Sequence, residues 1–207
     1  MKRLFKLLSL TMMGVMLATC LSACAKTPTP AEIYQMTEHS DSVKIYIDVN
    51  IGDTVSAKTV MNIDGDIMQI VTRTVAMGSV SEVVNYQQKS GDTYYVYSQD
   101  ENGKWTKKES KDETDTNGLE QFKELFDAKN FKEYDSKSRR YDMKDDVVIK
   151  IGDITYRDGY IKLEDKNLYV LYVVTDQLLL AEKTEGSLKI VLSSYGKIKG
   201  LKLPKIG

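Results

Sequence analysis

Between Pro30 and Pro204 the chain carries no proline. Proline lacks a backbone donor and is confined to the margins of a β-sheet, so this long run is free to form many paired strands. Its start shows the clearest pattern: Val43, Ile45, Ile47, Val49 and Ile51 alternate with Lys44, Tyr46, Asp48 and Asn50. Five apolar residues at period two predict a strand with one buried and one wet face.

The pattern continues along the chain. A second strand is expected over residues 55–63, with Val55, Ala57, Met61 and Ile63 on one face, and a third over 67–77, with Val71, Val75 and Met77 on one side. Asp64-Gly65 between them is a hairpin sequence suited to positive φ. Strands over 82–88, 93–98 and 104–109 follow, separated by Ser90-Gly91-Asp92 and Asn102-Gly103. Short strands divided by glycine turns describe an antiparallel meander. A second meander covers 139–143, 147–151, 154–157 and 160–164, with Asp158-Gly159 as the last turn, then 168–175, 178–183 and 188–193. A terminal extended piece runs from Ile198 to Pro204. All 13 tyrosines lie after residue 30, and aromatic and β-branched residues favour strands.

Two helices interrupt the strands. Thr29-Pro30-Ala31-Glu32 has a capping threonine, a proline at the first helical position and a glutamate placed to close a capping box. Ile33, Tyr34 and Met36 form the apolar side of this helix, which should end near His39. The second helix starts after Asn117 and ends near Lys129, with Leu119, Phe122, Leu125 and Phe126 as its apolar stripe.

The amino terminus has a different character. Met1-Lys2-Arg3-Leu4-Phe5-Lys6 is basic, and Leu7 to Leu21 is an apolar run of about 15 residues, short of the ~20 that span a bilayer. A basic start, a short apolar centre and small residues before a cut make a secretory signal. Leu21-Ser22-Ala23-Cys24 resembles the lipobox of bacterial lipoproteins. That resemblance implies cleavage after Ala23, lipid on Cys24 and location on the extracytoplasmic face of a cell membrane. Leu17-Ala18-Thr19-Cys20 is a second candidate, with the less suitable Thr19 before the cut. Residues 1–23 are then the signal peptide, 24–29 the lipidated cysteine and a short tether, and 30–207 a single domain. Two or more acyl chains hold a protein stably at a membrane where one holds it marginally.

Composition removes several classes of chemistry. Without Lys2, Arg3 and Lys6, 26 basic side chains face 30 acidic ones, a formal charge of −4. Nucleic-acid binding usually wants a strongly basic face, so no such partner is expected. With Cys20 removed and Cys24 lipidated, no thiol is left for catalysis, metal or a disulfide. His39 is the one histidine, so a histidine zinc site is not expected; at a helix carboxyl end it reads as a favourable cation. Glu113 to Gly118 with Glu124 approaches a calcium-loop pattern, but glutamate stands in the first position. The plainer reading is a polar loop leading to the Asn117 cap. Asp64 with Asp66, and Asp145 with Asp146, read as turn residues rather than acid–base pairs. Lys197, Lys199, Lys202 and Lys205 make a basic end that suits either a solvated edge or anionic headgroups. No enzyme, metal or cofactor is expected.

The order of helix, meander, short helix and meander, with an amino-terminal lipobox, Tyr195-Gly196 and a Leu203-Pro204 ending, resembles the LolA-like and LprG-like lipoproteins. The resemblance spans about residues 30–204. It implies an α+β, mainly β fold: a strongly curved antiparallel half-barrel with both helices on the concave side. It also implies a bound lipid or other apolar ligand, with Ile45, Ile47, Met61, Val71 and Leu125 as groove candidates. The alternative is a non-enzymatic envelope interaction or sensor domain with a filled core and a protein partner.

Overall fold

The computed structural model describes residues 27–53, 55–110, 119–179 and 182–206. The signal peptide, the cut after Ala23, Cys24 and the calcium-like run 113–118 with Asn117 lie outside the described residues.

The fold is α+β and mainly β. Helix α1 (Pro30–Glu38) begins as expected: the Glu32 amide donates to Thr29 Oγ1 at 3.3 Å, and the Thr29 amide donates to Glu32 Oε2 at 2.6 Å. Its buried side carries Ile33, Tyr34 and Thr37, while Met36 is exposed. The strands β1 (Ser42–Ile51), β2 (Val55–Asp64), β3 (Ile67–Ala76), β4 (Ser79–Ser90), β5 (Thr93–Gln99) and β6 (Trp105–Ser110) form the first meander. Two 3₁₀ helices follow, η1 (Glu120–Phe126) and η2 (Ala128–Asn130), and then β7 (Arg140–Asp142), β8 (Ile149–Ile151), β9 (Ile154–Asp165), β10 (Leu168–Leu179) and β11 (Glu182–Ser193).

One curved antiparallel sheet, not closed, contains every strand among the described residues, in the order β6-β5-β4-β3-β2-β1-β11-β10-β9-β7, with β8 also on β9. The first and last strands of the chain's two meanders meet where β1 pairs with β11, Ile47 opposite Ile190. Helices α1 and η1 fill the concave face.

Three local expectations change, the first being that residues 178–183, expected as one strand, divide between the end of β10 and the start of β11. The second helix is 3₁₀ rather than α, because Leu119, Phe122 and Leu125 recur every three residues and that spacing aligns them on a three-residue turn. Asp158-Gly159 is not a hairpin turn. It is a bulge within one continuous β9, where the register with β10 shifts between Tyr172 and Val174. Asp158 takes the left-handed conformation at φ 49°, as bulge residues do.

Candidate functional site

The register decides which residues share the concave face. Ile45 stands opposite Met61 on β2 and Leu192 on β11, and Ile47 opposite Ile190. With Leu125 of η1 they belong to one core, and their exposures are 2% for Ile45, 6% for Ile47, 7% for Met61 and 0% for Leu125. A wall of a water-sized void keeps accessible surface. Surfaces this closed mean that sheet and helices fill the space with their own side chains, as interiors normally do.

Val71 does not join the other groove candidates. The two-residue turn at Gly65-Asp66 pairs Asp64 with Ile67, so Ile63 faces Met68 and Met61 faces Ile70. Val71 therefore stands opposite Val60 and Val84 on the convex face. Met68 and Ile70 take the inward places, and counting across the turn is the signal that identifies them.

Helix α1 is held over the core by polar contacts at both ends. The Tyr34 hydroxyl donates to the Glu120 carboxylate of η1, and the Tyr34 ring packs on Phe126 with centroids 5.7 Å apart. Burial and that carboxylate push the Tyr34 hydroxyl well above its usual range, and the same bond lowers Glu120. Near the other end, Thr37 Oγ1 and the Tyr195 hydroxyl lie 2.6 Å apart, and burial pushes Tyr195 up to about 12. His39 caps α1 on the surface, its Nδ1 2.9 Å from the Gln35 carbonyl oxygen. Asp64 accepts the Leu201 amide at 3.0 Å, and Asp145 accepts Lys132 at 2.7 Å. The chain from Ile198 is not a strand. It crosses the ends of β1 and β2, its Ile198 amide donating to Ser42 Oγ, so its lysines do not guard a sheet edge.

Among the described residues the concave core reaches Met68 and Ile70 of β3 and takes in no residue of β4 to β6, so the sheet extends beyond it as an open wing. Where it meets the core, Ile63, Met68, Gln87 and Tyr94 line a cleft of about 130 Å³, below the ~300–1,000 Å³ of usual ligand pockets. A hollow of about 360 Å³ lies between α1 and η1, lined in part by Tyr34, Glu38, Lys123 and Phe126, and hollows of about 470 and 510 Å³ lie among surface loops, lined in part by Lys129 and Asp146, and by Asp165 and Lys197. None of these hollows is lined by a groove candidate.

The convex side of the wing is aromatic and amide-rich. Asn62 donates to Gln69 at 3.0 Å, Gln69 to the Tyr86 hydroxyl at 2.8 Å, and Tyr97 to Gln88 at 2.8 Å. Trp105 meets Tyr86 edge-on, and Lys107 lies 3.7 Å from the Tyr95 ring centroid. At the tip of the wing, Met77 is 81% exposed, Val80 58% and Val83 51%. Among the described residues no helix is long and apolar enough to cross a membrane, and no cluster of three acidic, histidine or cysteine side chains forms a metal site.

Compared with known families, curated proteins and solved structures, the chain has no match.

Proposed function

We propose that this chain is a lipid-anchored module on the extracytoplasmic face of a cell membrane, and that it acts by binding a protein partner rather than by carrying a lipid or catalysing a reaction. The observation that carries this reading is the closure of the concave face around Ile45, Met61 and Leu125. An acyl chain entering there displaces as much apolar contact as it makes. At about 25 cal/mol per Å² of apolar surface, that exchange yields little net affinity. The wing, by contrast, has exposed valines and ordered amide and tyrosyl groups available to a macromolecule. Leu21-Ser22-Ala23-Cys24 supports the anchor.

Titration of the purified chain with a fluorescent fatty acid tests the reading directly, alongside mass spectrometry of solvent-extracted lipid. The expected result is no saturable uptake and no stoichiometric lipid beyond the amino-terminal acyl groups. Stoichiometric uptake restores the carrier alternative. For the anchor, Cys24→Ser should move the protein from the membrane to the soluble fraction; retention in the membrane removes the lipid from the proposal.

A further inference from the structure

Strand β4 is longer than the neighbour that covers it. It pairs with β3 from Ser79 opposite Ala76 to Gln88 opposite Ile67. Its pairing with β5 begins only at Tyr86, opposite Tyr97. Residues 79–85 thus have a strand on one side and none on the other among the described residues.

The ladder shows which groups are open. The Lys89 amide donates to the Asp66 carbonyl across β3 at 2.9 Å. In an unbroken antiparallel ladder, alternate residues direct their backbone groups to opposite sides. Odd-numbered residues of β4 therefore serve β3, and Val80, Glu82 and Val84 direct N–H and C=O outward. The segment is about 23 Å long at ~3.3 Å per residue.

Sheet margins are normally blocked by lysine, proline or shortness. Here β6 carries Lys107 and Lys108, while β7 and β8 have three residues each. The open flank of β4 has none of these devices: it reads Ser-Val-Ser-Glu-Val-Val-Asn, and residues 79–83 are exposed throughout. One margin is blocked, two are short, and this one is left able to pair.

We propose that the outer flank of β4 accepts an extended segment of a partner polypeptide by β-strand addition, a refinement that rests on the partner-binding reading above. The side chains specify the partner. On the convex face, Asp48, Lys58, Arg73 and Glu82 stand in register across β1 to β4. The row ends at the open margin on an acid, with Val80 and Val84 on either side. A matching strand has a basic residue opposite Glu82 and β-branched residues beside it. A second copy docked antiparallel about a two-fold axis, Val80 against Val84, sets Glu82 against its own image, and like charges directly opposite are unfavourable.

The test uses the purified full-length chain and a synthetic nine-residue peptide alternating valine and threonine around one lysine, followed by amide hydrogen exchange. Val80, Glu82 and Val84 should exchange freely in the chain alone and slow at least tenfold with the peptide. Replacing the peptide's lysine with glutamate should weaken binding about two- to fivefold, the range for directly opposed charges, and Glu82→Lys should reverse that preference. Glu82 is on the surface, so this variant leaves the core intact. The proposal is overturned if the three amides are already protected in the monomer, if protection appears on β6 instead, or if the peptide protects none of them. Protection that rises with protein concentration together with dimer sedimentation also overturns it, in favour of a second copy. The fatty-acid titration reads the parent proposal separately, so failure here with no lipid uptake removes only the docking edge.

Discussion

The Tyr34 hydroxyl donates to the Glu120 carboxylate, joining α1 to η1 across 86 positions of chain. The bond closes the cover over the concave face, and the Tyr34 ring completes it against Phe126.

Tyr34→Phe keeps the ring contact and removes the bond. A hydrogen bond to a half-exposed carboxylate contributes about 1 kcal/mol. Urea unfolding should show a loss of that size. A much larger loss would mean that the hydroxyl supports more of the fold than this one partner.

Leu125→Ala and Val71→Ala separate filled core from convex surface. Leu125 is fully enclosed, and enclosed leucine-to-alanine changes cost about 2–5 kcal/mol. Val71 lies half-buried on the convex face and should cost under ~1.5 kcal/mol. Equal small losses by chemical denaturation would mean that Leu125 borders an open groove.

Gly159→Ala should destabilise by about 3 kcal/mol, the upper end for forced overpacking. An ideal Cβ there comes within 2.3 Å of the Tyr172 carbonyl oxygen and 2.5 Å of Val173 Cγ1. Gly91→Ala meets no atom within 4 Å, and its positive φ alone should cost about 1 kcal/mol. Thermal unfolding of the two variants side by side checks the order.

Alkaline stability follows from the tyrosines. Tyr34 and Tyr195 are both raised in the folded chain, Tyr195 to about 12, above the ~10 of an unfolded tyrosine. Above pH 10 the unfolded chain releases these protons before the folded one does. The stability they contribute is whole below pH 10 and declines as pH rises toward 12 and beyond. Denaturation midpoints should fall through that window, and Tyr195→Phe should flatten the fall. An unchanged slope in the variant assigns the decline to other groups.

Much of this was legible from local chemistry. Thr29, Pro30 and Glu32 mark the start of α1 because capping needs only neighbours within one turn. Val43 to Ile51 mark β1 and its buried face because side chains alternate along any strand. Gly91 and Gly103 mark turns that need positive φ. Asp158-Gly159 reads the same way locally, yet it lies within a strand: whether such a pair reverses the chain or bulges depends on Tyr172 and Val173 of a strand it has not yet met.

Residue order alone therefore determined the strand-rich class, the first helix and the face of β1 that is buried, since each depends on periodicity or on contacts a few residues long. Tertiary structure decided that β1 joins β11, that Val71 points away from Leu125, that the concave face is filled, and that β4 outruns β5. These depend on register between segments far apart in the chain, and burial exists only once those segments have met.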